Sequence, residues 1–417
     1  MLIELIKSYK NRKIVLLFIM FQLIIAYIIV INAWTTILKP SFTEQIYYSN
    51  MNINPENTYT MWATDMIKGD TNNFLNFEKE IYDTIDDGKI TGYGAHYKTE
   101  IYIDNEDIMK KWNEVLHKKF GNAPIRTEII KTDEIVYEMV NIQILEGMDL
   151  SGEPDTKTDT PVLVGYELKD ILPIGTEFKS PIGGGNNEDY TVVGVLKSRS
   201  KWPHNDLRKA QMIDVDHLMI SLFSPNTRDT SRLNIINRTN SMILSSEKSP
   251  AETMSTLKEI SEKTATPVIM TRLSDEFKKE EIRNTDNVKN TVFIAIILLT
   301  VAISGVIMTT LSTLSERKYE LGVRMSVGYT KKDIWKMVLS DLLLKNIFAL
   351  FIAYAFSILL VSERSMGNYV YSFEILTSFR TIAMVLCTMA IIIFISVLIP
   401  RIVINRYSIV DLIRRED

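Results

Sequence analysis

The sequence predicts a membrane protein with four transmembrane α-helices and a large α/β extracytoplasmic domain inserted between the first and second helices. The 417 residues are 46% hydrophobic, and the apolar residues gather into four blocks that contain no charge. Each block is close to the roughly 20 residues that an α-helix needs to cross a bilayer. The long interval between the first two blocks alternates short β-like runs with helical ones, as expected for an α/β domain.

The four apolar blocks set the boundaries of the predicted membrane helices. The charge-free blocks are residues 14–38, 290–315, 346–362 and 381–400; the third membrane helix is predicted to cover 341–362, so it also includes Asp341 and Lys345. The flanking segments are basic: residues 1–13 and residues 315–340 each carry a net charge of +3, although the whole chain has a net charge of −4. Lys and Arg concentrate on the cytoplasmic side of membrane proteins. We therefore expect a multi-pass protein of the bacterial cytoplasmic membrane with both termini, including the tail 401–417, in the cytoplasm.

The N-terminal segment has two interpretations. Residues 1–13 are predicted to form an amphipathic helix on the inner membrane surface, because Leu2, Ile6 and Tyr9 share one helix face. Basic residues before an apolar run are also typical of a cleaved signal peptide. The block is too long for a usual signal core and ends INAWTT, without a small-x-small cleavage pattern. The segment is therefore expected to stay on the chain as an anchor.

The extracytoplasmic domain is predicted to cover residues 39–289 and to contain two subdomains. TYTMW, PVIMT and a helix after Ser249 belong to a mixed α/β subdomain, residues 50–132 with residues 231–271. The runs EIVYEMVNIQIL, TPVLVG and DYTVVGVLKS predict strands of a β-rich subdomain, residues 133–228. PIGGGNNEDY lacks the lysine and helix of a phosphate-binding loop, and it predicts a hairpin turn.

Two further segments lie outside the membrane in this topology. Residues 273–289 have a serine start and an acidic first turn, which predicts a stalk helix running without interruption into the second span. A solvated charged linker is the alternative. Residues 363–380 form the second, short outside loop.

The chain shows no recognisable catalytic or metal-binding motif. Its single cysteine, Cys387, lies in the fourth span, so the outside domain has neither a disulfide nor a thiol site. The histidines are scattered and lack metal-ligand spacing: His96, His117, His204 and His217. No nucleotide-binding loop or GxSxG elbow is present. We expect a non-catalytic chain without its own cofactor or metal, so an ATP-driven function would need a separate ATPase.

The cytoplasmic loop, residues 316–340, is unusual because it mixes charged and apolar residues densely. Glu320 and Arg324 stand four residues apart, a spacing at which the two side chains pair on a helix. Positive charge alone would satisfy the topology rule. It would not explain the interleaved apolar residues, which a docking surface for a soluble partner requires.

The same loop is predicted to turn and start a second helix. Gly328 interrupts the first helix, and Thr330 with Asp333 has the spacing of a capping box. The loop is therefore predicted to be a folded hairpin of helix, glycine turn and helix.

The string ERKYELGVRMSVGYTKKDI resembles a motif of the permease subunits of FtsX-type and MacB-type ABC transporters. The matched positions are Glu316, Arg317, Glu320, Leu321, Gly322, Ser326, Gly328, Thr330 and Ile334. ILEGMDL, TPVLVGYELKDIL, YTVVGVLKS and the ending PRIVINRYSIVDLIRRED support the resemblance. The chain departs from it at Asp341, where glutamate is common, and before Glu134, where no motif matches.

The resemblance implies a mechanotransmission transporter in which two permease chains, identical or different, bind two cytoplasmic ABC ATPase subunits. ATP and Mg²⁺ would bind in those ATPases, and the permease would contact membrane lipid but no nucleic acid. The implied ATPase-coupling residues are Glu316, Arg317, Glu320, Leu321, Gly322, Arg324, Gly328 and Ile334. The expected substrate is a peptide, an antibiotic or a lipid-linked molecule, with peptide export preferred.

Small residues in the second span suggest a place where two helices approach closely. Thr300, Ser304 and Gly305 have roughly helical spacing. They predict a dimer seam, with ordinary packing inside one chain as the alternative.

Two other functions stay open at this stage. An FtsX-like regulator would activate a cell-wall hydrolase without transporting anything. An ATP-independent receptor would sense a ligand through its outside domain.

Overall fold

The structure, a computed structural model, describes residues 13–64, 71–86, 88, 90–120, 127–150, 160–181, 187–204, 211–223, 232–239, 241–363 and 370–406. Most of the predicted N-terminal helix and tail, and residues 364–369 of the predicted outside loop, lie outside the described residues. The chain divides into two compact units. The helical unit comprises Met1–Lys39 and Arg283–Asp417, and the sheet unit comprises Pro40–Ile282.

The described α-helices are α1 (Lys13–Asn50), α2 (Thr71–Asp86), α3 (Glu106–Phe120), α4 (Glu134–Met139), α5 (Arg232–Arg238), α6 (Pro250–Thr264), α7 (Leu273–Glu316), α8 (Lys318–Ser326), α9 (Lys331–Glu363), α10 (Val370–Thr377) and α11 (Phe379–Arg406). A short 3₁₀ helix covers Tyr166–Leu168. The described strands are β1 (Thr58–Ala63), β2 (Gly92–Glu100), β3 (Glu128–Thr132), β4 (Ile144–Gly147), β5 (Thr160–Val164), β6 (Glu177–Pro181), β7 (Asn187–Leu196), β8 (Lys201–Pro203), β9 (Met212–Asp214), β10 (Met219–Leu222), β11 (Met242–Ser245) and β12 (Val268–Arg272).

Four described helices, α1, α7, α9 and α11, are long and apolar enough to cross a membrane. Together with the α/β sheet between the first two, they confirm the predicted fold class. Helix α7 is uninterrupted over 44 residues, as predicted for a stalk that continues into the second span. Polar side chains also connect the helices: the Tyr27 hydroxyl donates to Asn346 Oδ1 at 2.5 Å, and Trp34 Nε1 donates to Thr388 Oγ1 at 3.0 Å.

The sheet unit is organised by one large sheet with the described strand order β12-β1-β11-β2-β3-β10-β5-β7-β4, and β6 pairs with β7. Neighbouring strands are antiparallel except for the pairs β3 with β10 and β5 with β7. Strands β8 and β9 form a separate two-stranded ribbon. The predicted boundaries of the two subdomains stay a prediction, and a single sheet passes through both of them.

Two hydrophobic clusters support this sheet. Helices α2 and α6 contribute Phe77 and Leu257 to the first, which also contains Met61 of β1. Helix α3 contributes Trp112 to the second, which also contains Tyr190 of β7. Burying each such side chain typically contributes about 1.5–3 kcal/mol. The clusters explain how this unit stays folded without disulfides.

Most local predictions for this unit agree with the structure, and one is wrong. Helix α6 begins with a capping box, in which Ser249 Oγ accepts from the Glu252 amide at 3.3 Å and the Glu252 carboxylate accepts from the Ser249 amide at 3.1 Å. Strands β6 and β7 pair antiparallel as predicted for a hairpin, although residues 182–186 lie outside the described residues. EIVYEM, predicted as a strand, is instead helix α4. This helix begins after Asp133 and buries Val136 and Tyr137. It packs against β2, and this packing outweighs the strand preference of its β-branched residues.

Candidate functional site

The loop between α7 and α9 forms the predicted hairpin of helix, turn and helix. Helix α8 occupies its first half, and the turn after it contains Gly328 with φ of +105°. L-residues rarely adopt this backbone conformation. No atom lies within 4 Å of the position that a Cβ of Gly328 would take, so backbone conformation explains the glycine here.

A capping box starts the second helix, as predicted. The Thr330 amide donates to Asp333 Oδ2 at 3.0 Å, and the Asp333 amide donates to Thr330 Oγ1 at 3.3 Å. These two bonds satisfy backbone donors that the first turn of α9 would otherwise leave free. The turn and the cap therefore fix where α9 begins.

Arg317, the residue directly before α8, forms a charged network with Glu320 and Arg324 of that helix; the three residues are called here the clamp. Both donating nitrogens of Arg317 lie 2.8 Å from the Glu320 carboxylate oxygens, and Arg324 Nη2 also lies 2.8 Å from Oε1. The spacing predicted the pair of Glu320 with Arg324, and the structure adds Arg317. The hydrogen bond from Arg317, with the charges of both arginines, lowers the pKa of Glu320. The carboxylate is therefore ionised at neutral pH.

The inner side of the hairpin is anchored in the core of the helical unit. Leu321 and Ile334 are 1% and 3% exposed and join the same hydrophobic cluster as Leu314 of α7 and Val338 of α9. Gly322 is also buried. The structure thus places these three predicted coupling residues inside the chain, where they position α8.

The outer side of the hairpin exposes apolar side chains. Tyr319, Val323, Val327 and Tyr329 are 59%, 41%, 78% and 50% exposed. An adjacent groove of about 510 Å³ is lined by residues that include Arg324, Val327 and Tyr329. The site prediction omitted these four residues, although apolar residues beside the clamp in the sequence were a signal for them. Exposed apolar groups bordered by charge are typical of a protein-binding surface.

The last predicted coupling residue, Glu316, is the final residue of α7. Its carboxylate accepts a hydrogen bond from the Ser312 hydroxyl at 3.1 Å. It therefore stands at the junction between α7 and α8, directly before the clamp.

The three residues of the predicted dimer seam do not share one environment. A Cβ on Gly305 would lie 2.5 Å from Gln22 Oε1 of α1, so Gly305 packs against a helix of its own chain. Thr300 and Ser304 are exposed, and each hydroxyl donates to the carbonyl four residues earlier. Intramolecular packing accounts for Gly305, and the seam stays a prediction for Thr300 and Ser304.

No cluster of three potential metal ligands occurs among the described residues. His96 is a core residue of the sheet unit: it is 1% exposed, and its Nδ1 accepts a hydrogen bond from Trp202 Nε1 at 3.2 Å. Burial, followed by the nearby His204, lowers the pKa of His96 to about 3. The ring is therefore neutral at physiological pH.

The low pKa of His96 predicts that the sheet unit loses stability in acid. In the unfolded chain this ring takes up a proton near pH 6.5, whereas in the folded chain it does so only near pH 3. Stability should therefore fall as the pH drops from about 6.5 towards 3. Between pH 6.5 and 4.5 the wild type should lose about 2 kcal/mol more than a His96→Asn variant, which keeps an acceptor for Trp202. Urea unfolding of the purified full chain measures this, and equal losses would contradict it.

The segment that contains the α8 hairpin is similar to a known family model. Residues 292–409 match the family model for the FtsX-like permease C-terminal domain. The periplasmic region of MacB from Actinobacillus actinomycetemcomitans is similar at 12% identity and a TM-score of 0.33, over 55% of this chain and 93% of that one. The extracellular domain of the noncanonic ABC-type transporter YknZ from Gram-positive bacteria is similar at 12% identity and a TM-score of 0.31, over 52% and 100%. No curated protein matches the chain.

Proposed function

We propose that this chain, which carries an FtsX-like permease C-terminal domain, is the permease subunit of a MacB-like ABC transporter. It would couple ATP hydrolysis by a separate ATPase to motion of its extracytoplasmic domain. The observation that carries the proposal is the hairpin around α8. It exposes four apolar side chains beside a charged clamp and is anchored in the helical core by Leu321 and Ile334.

The two sides of the hairpin suit the transmission of force. A partner that binds the exposed Val327 and Tyr329 would move α8 as a unit, because the clamp links Arg317 at its start to Arg324 near its end. The buried Leu321 would pass this movement to α7 and α9. Close-packed side chains transmit displacement because they have little free volume. Helix α7 is uninterrupted from Leu273 to Glu316 and would serve as the lever.

The remaining partners follow from the same proposal. ATP and Mg²⁺ would bind in the partner ATPases, and a second permease chain would complete the transporter. The α8 hairpin would face the cytoplasm because basic residues surround it. Both termini would then be cytoplasmic, and the sheet unit would lie outside the bacterial cytoplasmic membrane.

The proposed substrate class is a peptide, an antibiotic or a lipid-linked molecule, exported or extracted at the outer face. The spans favour mechanical work over a polar channel. Among the described residues, the charged side chains in the membrane-spanning part of α9 are Asp341 and Lys345, which are 17% and 14% exposed and pair with each other at 2.6 Å. A pathway for polar substrates would place ionisable groups along a cavity.

Charge reversal at the clamp tests the proposal. Glu320→Lys would bring three cations together, and Arg324→Glu would place two carboxylates beside each other. Each variant is expected to lower ATP-dependent function in cells by at least about tenfold, which corresponds to about 1.4 kcal/mol of lost docking energy. The ATPase would keep its basal hydrolysis. Function in cells and ATP hydrolysis by the co-purified complex are measured together.

The matched control lies on an exposed helix of the sheet unit. Lys258 and Glu262 of α6 form a pair with the same four-residue spacing, and their side chains are 77% and 70% exposed. Glu262→Lys should therefore leave function unchanged. Full activity of both clamp variants in cells would refute docking at α8. A wild-type chain that co-purifies no ATPase from native membranes would instead favour the receptor alternative, and one that binds a cell-wall hydrolase without transport would favour the regulator.

A further inference from the structure

The helical unit contains a cavity at the opposite end of its spans from α8. Its volume is about 620 Å³, within the roughly 300–1,000 Å³ typical of small-molecule sites. Helices α1, α7, α9 and α10 all contribute to its wall. None of its described lining residues belongs to the α8 hairpin.

The cavity has an apolar floor. Ile31 of α1 and Ile375 and Leu376 of α10 line it, and they are only 1–2% exposed. Ser357 of α9 also lines it, but its hydroxyl proton is engaged, since Oγ donates to the Ala353 carbonyl at 2.8 Å. This floor can accept hydrocarbon without leaving a polar donor unpaired.

The rim of the cavity is polar and carries a cation. The exposed residues Asn32, Asn287 and Asn290 contribute amides, and the partly buried residue Lys39 contributes an ammonium group. The described lining residues include no carboxylate. Lysine and amide donors without a competing acid favour a phosphate or another anion.

The position of Lys39 indicates that the anion is the headgroup of a membrane lipid. It directly follows the apolar block of α1, and long basic side chains at such positions reach towards the membrane surface, where lipid headgroups lie. At the same rim, Asn284 Nδ2 donates to the Thr36 carbonyl at 3.2 Å and holds α7 to α1. Beside the lining residue Leu360, Leu359 is 62% exposed on the apolar surface of the span.

We infer that this cavity binds one membrane lipid with an anionic headgroup. An acyl chain lies on the floor formed by Ile31, Ile375 and Leu376, and the phosphate contacts Lys39 and the asparagine rim. The site is independent of the docking of an ATPase, so it can be tested on the permease chain alone.

Native mass spectrometry of the purified full chain in detergent tests the site. Dioleoyl phosphatidylglycerol and dioleoyl phosphatidylcholine are titrated separately. The wild type should retain one phosphatidylglycerol per chain, at a concentration about tenfold lower than it needs for phosphatidylcholine. Lys39→Gln should remove this preference, because it deletes the rim cation. Lys289→Gln should keep it, because Lys289 is an exposed lysine of α7 outside the cavity lining.

A second pair of variants tests the cavity itself. Leu360→Trp introduces a larger side chain into the cavity wall and should lower lipid occupancy at least about fivefold. Leu359→Trp, at the exposed neighbouring position, should leave occupancy unchanged. Thermal unfolding checks that both variants are folded. Equal occupancy in Leu360→Trp and the wild type, or equal headgroup preference in Lys39→Gln and Lys289→Gln, would overturn the inference. Displacement of the lipid by soluble glycerol phosphate alone would identify a free-anion site and would overturn it as well.

Discussion

Replacing Arg238 by methionine is expected to lower the free energy of unfolding by about 3–5 kcal/mol, because it leaves a buried carboxylate without its cationic partner. Arg238 Nη2 lies 2.9 Å from Glu78 Oε2, and the two side chains are 3% and 8% exposed. The Tyr93 hydroxyl donates to the other oxygen of Glu78 at 3.3 Å. One carboxylate therefore joins α5, α2 and β2.

The double variant Glu78→Leu with Arg238→Met tests this explanation. Removing both charges leaves no unpaired ion, so the double variant should regain most of the stability that the single variant loses. Urea unfolding of the full chain, followed by circular dichroism, measures both. Lys258→Met removes one partner of the exposed pair in α6 and should cost less than about 1 kcal/mol. A loss below about 1 kcal/mol in Arg238→Met would contradict the role assigned to the buried pair.

The sequence predicted the features that depend on local spacing. Four apolar blocks predicted the membrane helices, and the three-residue spacing of Thr330 and Asp333 predicted the cap of α9. The pair of Glu320 and Arg324 followed from their four-residue spacing. These rules need only neighbouring residues, so they succeed without knowledge of the fold.

The features that sequence reasoning missed depend on distant contacts. Strand β10 lies between β3 and β5 in the sheet, an order that no local pattern encodes. EIVYEM became helix α4 because of the site that it fills beside β2. For Gly305 the sequence left a dimer seam and packing within one chain both open, and its neighbour is Gln22, almost three hundred residues earlier in the chain. In each case the local structure depends on contacts with residues that are distant in the sequence.

At the candidate docking site, the sequence likewise predicted the residues of a local motif but not which of them the fold buries. Motif matching selected Leu321 and Ile334 together with the charged residues, although the structure buries both. It passed over Tyr319 and Tyr329, which are exposed. A motif collects residues that hold a surface in place as well as those that form it, and only burial separates the two groups.

The ion pair of Asp341 and Lys345 in α9 either supports helix packing or belongs to a polar translocation pathway, and variants of the pair distinguish these two roles. Their ion pair is short at 2.6 Å, and the side chains are 17% and 14% exposed. Lys345→Met should destabilise the helical unit by about 3–5 kcal/mol, because it removes the cation beside a largely buried carboxylate whose Oδ1 is buried and already lacks a hydrogen-bond partner. Unfolding of the full chain in mixed micelles, titrated with sodium dodecyl sulfate, measures the loss.

The double variant Asp341→Leu with Lys345→Met separates the two roles. If the pair only supports helix packing, two apolar residues of similar size should restore stability and keep ATP-dependent function. Charged groups on a translocation pathway would instead be indispensable, so a stable double variant without function would contradict the mechanical model. Retained function would support it, because force carried through packed helices needs close contact between them and no polar route across the membrane.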